Sequence, residues 1–326
     1  MNIKPPKNHT LAPVEIRRTN PVERYIDSKT TKFIKIVKKL YARDLISDKQ
    51  FLTLMYRLRI GRWIRWKNPK RYTEKLQWLK LYNRQDEYTS MVDKIKSKEI
   101  VARKVGEKYV VPTIGVWNSP EEIEFDKLPP TFVLKCNHAS AGNFIQSSPD
   151  TPINKRLIID TLNSRFHIRW DKNSGEWPYR NVEKKVFAEE YLPNLAEGGK
   201  PDYKILCFHG EPKFVQVFSW TKNYVTDYKE ELSEYNIYYD LNWSKLDMII
   251  GYPYNNDVDI TKPENLEEMI EIARKLSEGI PFVKVDFYNI NGKIYVGELT
   301  FFPFGGFGTV VPDEWDEKLG EMLKIK

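Results

Sequence analysis

Asp286 and Glu298 stand in two β-rich runs, residues 282–288 and 294–300, that flank Asn291-Gly292. Both residues of an Asn-Gly pair tolerate positive φ, which makes it the strongest short-range hairpin signal and predicts facing arms for the two carboxylates. The register then decides the chemistry. A strict two-residue turn pairs residue 290 with 293 and sets Val285 opposite Glu298, leaving a carboxylate in an apolar row. One extra turn residue, as in a G1 bulge, pairs 290 with 294 and sets Asp286 opposite Glu298 and Lys284 opposite Thr300. The second register is the expected one, because it gathers Lys284, Asp286, Glu298 and Thr300 on one face and sends Val283, Val285 and Phe287 to the other. Facing carboxylates repel unless a cation lies between them, and oxygen-only ligands suit Mg²⁺ bridging nucleotide phosphates. The plainer alternative is a surface hairpin with two solvated acids.

A second constellation lies upstream. The apolar run Phe132-Val133-Leu134-Lys135-Cys136-Asn137 is interrupted by Lys135 and followed by the small, polar residues 138–143. A lysine in such a strand needs an anion if it is buried. A loop of small residues beside it has the makings of a phosphate cradle, with backbone N–H groups and a hydroxyl around the anion. The spacing is not that of a Walker A loop, and an ordinary surface hairpin is the alternative. His138, His167 and His209 form no metal-ligand spacing.

These groups must be positioned by a chain of 326 residues, enough for two closely packed lobes and an N-terminal appendage. The 30% charged fraction and the 9 Trp, 19 Tyr and 16 Phe residues suit a globular enzyme with aromatic-lined clefts. Cys136 and Cys207 lack CxxC spacing, which argues for a reducing compartment and against structural zinc. No apolar run approaches a bilayer span, and residues 1–20 lack a signal-peptide core, so the expectation is a cytoplasmic protein. The net charge of +7 is concentrated at Arg57, Arg59, Arg62, Arg65, Lys67, Lys70 and Arg71, interleaved with Trp63 and Trp66. Such a patch could meet an acidic polysaccharide or the headgroups of a membrane, or it could be a solvated face. No zinc-finger spacing or RNP-like run supports nucleic acid as a partner.

Phe33, Ile36, Val37, Leu40 and Tyr41 follow an amphipathic helical rhythm, and Ser47-Asp48-Lys49-Gln50 reads as a capping box opening a second helix. The predicted organisation is a disordered stretch over 1–20, a mainly helical region with the basic patch over 21–85, and a connecting segment over 86–130. A first α+β lobe carrying the phosphate loop over 131–190 and a second carrying the metal site over 191–326 complete it. A strand at residues 186–192, a hairpin over 202–218, and a helix from about 263 with Gly279 as its stop fill the second half.

In order and spacing these pieces resemble the ATP-grasp superfamily, and within it the TupA-like branch named after teichuronopeptide biosynthesis. The resemblance rests on Asn68-Pro69-Lys70, residues 74–82, Val92-Asp93-Lys94, residues 132–138, Glu189-Glu190-Tyr191-Leu192, Asp202-Tyr203-Lys204, residues 285–288 and residues 297–301, and covers nearly everything from residue 51. It implies a nucleotide clasped between two α+β lobes, with ATP and Mg²⁺ as cofactors. By resemblance, Lys94 and Lys135 meet the α- and β-phosphates, and Ser140, Ala141, Gly142 and Asn143 form the lid over the γ-phosphate. Glu189, Glu190, Tyr191 and Leu192 correspond to the hinge, where backbone groups of Glu190 and Leu192 read adenine, and Asp202 accepts from the ribose. Asp286 and Glu298 correspond to Mg²⁺ ligands. The superfamily string ends Glu-x-Asn where this chain has Glu298-Leu299-Thr300, so Thr300 or water would complete the set. Lys204 and Lys222 are candidates for stabilising a transferred phosphoryl group or a substrate carboxylate. Gly305 and Gly306 could bring backbone N–H groups to the reacting acyl group.

The resemblance implies an ATP-dependent carboxylate–amine ligase working through an acyl phosphate. The branch is associated with capsular polysaccharide pathways, so the expected acid is a uronic acid of a glycan or its precursor, and the co-substrate an amine or amino acid. Peripheral contact with the inner face of a membrane through the basic segment fits such an acceptor. The alternatives are an ATP-grasp phosphotransferase, a glycosyltransferase using the DxD string Asp257-Val258-Asp259, and a glycan-binding scaffold.

Overall fold

The computed structural model describes residues 28–140, 142–192, 202–220, 233–251 and 258–325. An antiparallel helix pair comes first, α1 (Ser28–Ala42) and α2 (Asp48–Ile60). The Ser47 capping box is present, with Ser47 N–H donating to Gln50 Oε1 at 2.8 Å, and α2 ends at Gly61 in the left-handed region. The pair buries Ile34, Val37 and Tyr41 against Phe51, Leu52 and Met55, with Tyr41 stacked on Phe51 at 3.9 Å. Phe33 and Ile36, expected on the buried face, lie in solvent instead.

Helix α3 (Tyr72–Tyr82) opens beside the basic segment, and α4 (Glu87–Val92) and α5 (Lys96–Val105) lead to a four-stranded antiparallel sheet. That sheet is ordered β1-β4-β2-β3, from β1 (Thr113–Trp117), β2 (Phe132–Cys136), β3 (Phe144–Gln146) and β4 (Val186–Glu190). Its edge strand β1 thus comes from within residues 86–130. Helices α6 (Lys155–Phe166) and α7 (Trp170–Ser174) intervene before β4, and α6 packs Ile158 and Leu162 on Phe132 and Leu134.

The larger sheet is built from β5 (Asp202–Phe208), β6 (Glu211–Trp220) and β7 (Ser233–Asp240), with the short β8 (Ile249–Ile250) beyond. Helix α8 (Leu266–Ser277) precedes β9 (Phe282–Ile290) and β10 (Lys293–Thr300), and β11 (Val310–Val311) and α9 (Asp313–Met322) end the fold. The antiparallel order is β10-β9-β5-β6-β7. Val283, Val285 and Phe287 point into the core with the apolar face of α8, which includes Leu266, Met269, Ala273 and Leu276. Period-2 alternation therefore delivers Lys284, Asp286 and Tyr288 to the opposite face.

The β9–β10 register differs in its cause from the expectation. The turn is the strict two-residue kind, with Lys293 opposite Ile290 and positive φ at Asn291 and Gly292. The extra residue is Gly297, bulged between Val296, opposite Phe287, and Glu298, opposite Asp286. The bulge shifts the phase by one, so Val296 stays in the core while Glu298 and Thr300 reach the face carrying Asp286 and Lys284.

The basic segment is answered by acids in part, at Arg62, Arg65 and Arg71, while Arg57, Arg59, Lys67 and Lys70 have no ion-pair partner among the described residues. Arg62 forms a bidentate pair with Asp313 at 2.6 and 3.1 Å, and Arg71 contacts Asp313 and Glu317, both at 2.8 Å. Buried Glu74 accepts from the Arg65 guanidinium and from the backbone N–H groups of Arg65, Lys70 and Arg71. The acids absent from the run itself come from α3 and α9. Helix α9 meets the entry to α3 closely, since a Cβ on Gly320 would lie 2.0 Å from the Lys70 carbonyl oxygen.

Candidate active site

The central row of the larger sheet brings several of the candidate residues together. Glu298, Asp286, Lys204, Gln216 and Tyr238 are successive cross-strand partners from β10 to β7. Lys204 Nζ donates to Asp286 Oδ2, and Lys284 Nζ lies 3.5 Å from Asp286 Oδ1. On the other side Lys94, from the α4–α5 connection, donates to Glu298 Oε2 at 3.0 Å. Thr300 Oγ1 donates to Glu298 Oε1 at 3.3 Å. Lys94 is steadied by its own N–H on the Asn137 carbonyl at 3.0 Å and by Asp93, whose Oδ1 accepts from Asn137 Nδ2 at 3.0 Å.

The first sheet contributes a parallel arrangement. Lys135 of β2 and Lys98 of α5 both bind the Glu189 carboxylate, Lys98 at 2.9 Å. Lys135 Nζ also lies 6.0 Å from the centre of the Tyr288 ring, so the two sheets meet across Tyr288. Gly297 leaves space for that ring, since a Cβ there would stand 3.3 Å from Tyr288 Cζ.

The electrostatics follow from this packing. Lys94 first, and then Lys204 and Lys284, hold the carboxyl of half-exposed Glu298 well below the usual range. Burial pushes Glu189 up, but Lys135 and Lys98 override it and leave the carboxyl below its ordinary value. Burial alone would lower Lys204, yet Asp286 and Asp202 raise it. Lys284 stays lowered, by burial and by Lys204, although Asp286 opposes them. Lys94, Lys204 and Lys284 are thus set against Asp202, Asp286 and Glu298 beside the larger sheet, and Lys98 and Lys135 against Glu189 on the first, so that five cations meet four acids where the sheets approach.

The remaining candidates fall around this centre. Ser140, Gly142 and Asn143 lie in the β2–β3 connection, with Ser140 and Asn143 exposed and Gly142 at φ 75° against the Arg165 side chain. The Glu190 N–H donates to the Pro112 carbonyl at 3.0 Å, so only its carbonyl is left for a ligand, and Leu192 is buried with Val111 and Tyr295. Tyr191 follows β4, half-buried, and Asp202 opens β5 on the Lys204 face. Ala141, Lys222 and Asp257 lie outside the described residues, and Asp259 is exposed.

Gly305 and Gly306 are held from behind. Lys80, fully buried on α3, donates to the carbonyls of Gly305 and Ser174 and to Gln77 Oε1, and Gln77 Nε2 donates to the Gly306 carbonyl. Phe304, Gly305 and Gly306 all have positive φ, and a Cβ on Gly305 would lie 2.6 Å from the Ser174 Cβ. Because a trans peptide sets C=O and N–H on opposite sides, the Gly306 N–H is directed away from Lys80. Glu176 accepts from Ser174 Oγ next to this loop, and burial raises its carboxyl while Lys80 opposes the shift.

Sequence reasoning assigned no role to Lys284, Lys98, Tyr288, Lys80 or Glu176. Lys284 was placed on the Asp286 face by the alternation, though with no role, and Tyr288, two residues from Asp286, was legible by the same rule. Lys98 meets its partner across 91 residues of chain and left no local signal.

Among solved structures the chain is similar to D-alanine–D-alanine ligase from Bacillus anthracis, at 16% identity and a TM-score of 0.40 over 76% of this chain and 67% of that one. It is also similar to the ATP-grasp ligase PsnB complexed with minimal precursor, at 14% identity and a TM-score of 0.40 over 89% and 73% of the two chains. No curated protein matches it. The model of the TupA-like ATP-grasp family matches residues 74–324, which span α3, both sheets, the lysine–carboxylate centre and the glycine loop; the chain belongs to that family.

Proposed function

We propose that the protein is an ATP-dependent ligase that joins a carboxylate, a uronic acid of a glycan or its precursor, to an amine. The observation that carries the reading is the Glu298–Asp286–Lys204 row facing Lys94 and Lys135 across Tyr288. Five lysines where the two sheets approach fit a polyphosphate, and two facing carboxylates beside them would hold a divalent cation.

The donor set suits Mg²⁺. Asp286 Oδ1 is buried and lacks a hydrogen-bond partner among the described residues, with Lys284 Nζ 3.5 Å away, and Glu298 and Thr300 add oxygen donors on the same face. Asp286 and Glu298 would hold the ion, with the Thr300 hydroxyl in the position of the superfamily's Asn. When bound, the ion supplies charge neutralisation at the phosphates.

The chain's own residues account for the rest. Lys94 and Lys135 bind and orient the phosphates, and Lys204 and Lys284 balance charge where the phosphoryl group is transferred. A substrate carboxylate oxygen attacks the γ-phosphorus and ADP leaves, giving an acyl phosphate. The amine nitrogen then attacks the acyl carbon, phosphate leaves, and the nitrogen loses its proton. Gly306, its N–H turned from Lys80, would face the developing oxyanion. Buried, unpaired Cys136 and Cys207 support a reducing, cytoplasmic setting.

The test supplies Mg-ATP with glucuronate or galacturonate, with and without hydroxylamine. Acid-dependent ADP release with a hydroxamate product is expected. ADP release with a stable phosphorylated sugar and no hydroxamate would point to a phosphotransferase instead.

A further inference from the structure

Helix α1 carries two apolar stripes, of which the fold uses one. Ile34, Val37 and Tyr41 are buried on α2, whereas Phe33 and Ile36 are 59% and 53% exposed and continue to half-buried Leu40. At about 100° per residue these three side chains lie within about 60° of one another, so they form one continuous outer stripe. Every charge in α1 is a lysine and the helix has no acid. Lys32 and Lys39 flank the stripe, Arg43 follows it, and no ion-pair partner for them occurs among the described residues. In the basic run at 57–71, Arg62, Arg65 and Arg71 are answered by Asp313, Glu317 and Glu74, while Arg57, Arg59, Lys67 and Lys70 have no ion-pair partner among the described residues.

An exposed Phe/Ile stripe edged by unanswered cations matches a surface that is apolar inside and anionic at its rim. We propose that α1 docks the protein on an anionic lipid surface, with Phe33 and Ile36 inserted among the headgroups and Lys32, Lys39 and Arg43 at the lipid phosphates. The placement connects to the cleft. The underside of α1 packs on α7, Lys38 Nζ donating to Asn173 Oδ1 at 2.6 Å and Lys172 Nζ lying 4.3 Å from the Tyr41 ring centre. Helix α7 ends at Ser174, whose carbonyl shares Lys80 with Gly305. The docked face and the glycine loop therefore flank the same short helix, so a lipid-borne acceptor would approach the loop end of the cleft. The docking itself does not depend on the ligase reading.

The experiment uses the full chain and flotation with vesicles of phosphatidylcholine alone or with 30% phosphatidylglycerol. Binding only to the anionic vesicles is expected, weakening by at least tenfold between 0.1 and 0.5 M salt. Phe33→Ser with Ile36→Ser, and separately Lys32→Glu with Lys39→Glu, should each lower it at least tenfold without changing the melting temperature. Since Cys136 and Cys207 are buried, an NBD label on Ile36→Cys reports this face alone and should brighten and shift to the blue on the anionic vesicles. Absence of binding, binding that survives both variants, or an NBD probe already shielded without lipid would overturn the proposal. The last result would assign the stripe to residues 1–27 or to a second copy of the chain.

Discussion

Asp286 and Glu298 are cross-strand partners because Gly297 is bulged from the ladder one residue before Glu298. A ladder that kept the register of the Asn291-Gly292 turn would return Glu298 to the apolar row. Gly297→Ala would put a Cβ 3.3 Å from Tyr288 Cζ and 3.4 Å from the Asp286 carbonyl oxygen. The expected outcome is a stability loss of about 1 kcal/mol, from overpacking, with a severalfold weaker affinity for ATP as Tyr288 moves toward Lys135. Urea titration and calorimetry read the two effects, and no change in either would show that Gly297 does not hold Tyr288 in place.

Asp286 neutralises two largely buried lysines, Lys204 and Lys284. Asp286→Asn should therefore lower stability by about 3–5 kcal/mol as well as abolish turnover. ATP added without metal should raise the melting temperature of the variant more than that of the wild type, because phosphate oxygens replace the missing anion. Equal ATP-induced shifts in the two proteins would dissociate the lysines from phosphate binding.

Lys135→Met removes one of the two cations on Glu189, which keeps Lys98. The fold should survive, and ATP should bind about 10- to 100-fold more weakly, the loss of a charge-assisted contact of about 1.5–3 kcal/mol. An unchanged calorimetric affinity would confine Lys135 to a structural role.

The depressed carboxyls of Glu298 and Glu189 set an acid limit. A carboxylate whose folded pKa lies below its unfolded value stabilises the fold above the unfolded pKa, about 4.3 for Glu, and that stability is lost as pH falls toward the folded pKa. The melting temperature should fall as the pH drops below about 4.3. Glu298→Gln should show a shallower fall, so that its curve converges with the wild type in acid; parallel curves would contradict the assignment.

Arg62 and Arg65 look alike in the sequence but should behave differently. Arg65 faces buried Glu74, whereas Arg62 and Asp313 form a half-exposed pair. Arg65→Glu should lower the melting temperature by several degrees, because it sets a like charge against an acid that cannot reach water. Arg62→Ala should change stability by less than about 1 kcal/mol. Similar losses in both would return the segment to a uniform surface.

The sequence alone determined what local rules and ordered motifs can carry. Alternation in β9, the Asn291-Gly292 turn, the Ser47 box and the order of strings from Lys94 to Thr300 were each legible because they depend on neighbours within a few residues or on linear order. The choice of Asp286 as partner of Glu298 was also reached, though through a turn bulge that the structure replaces with Gly297. Tertiary structure decided where distant charges meet. Glu189 between Lys98 and Lys135, Arg62 on Asp313, and Lys80 beneath Gly305 join residues dozens to hundreds of positions apart. It also decided which of two adjoining apolar stripes of α1 faces α2, since one helical period permits either and only the packing partner distinguishes them.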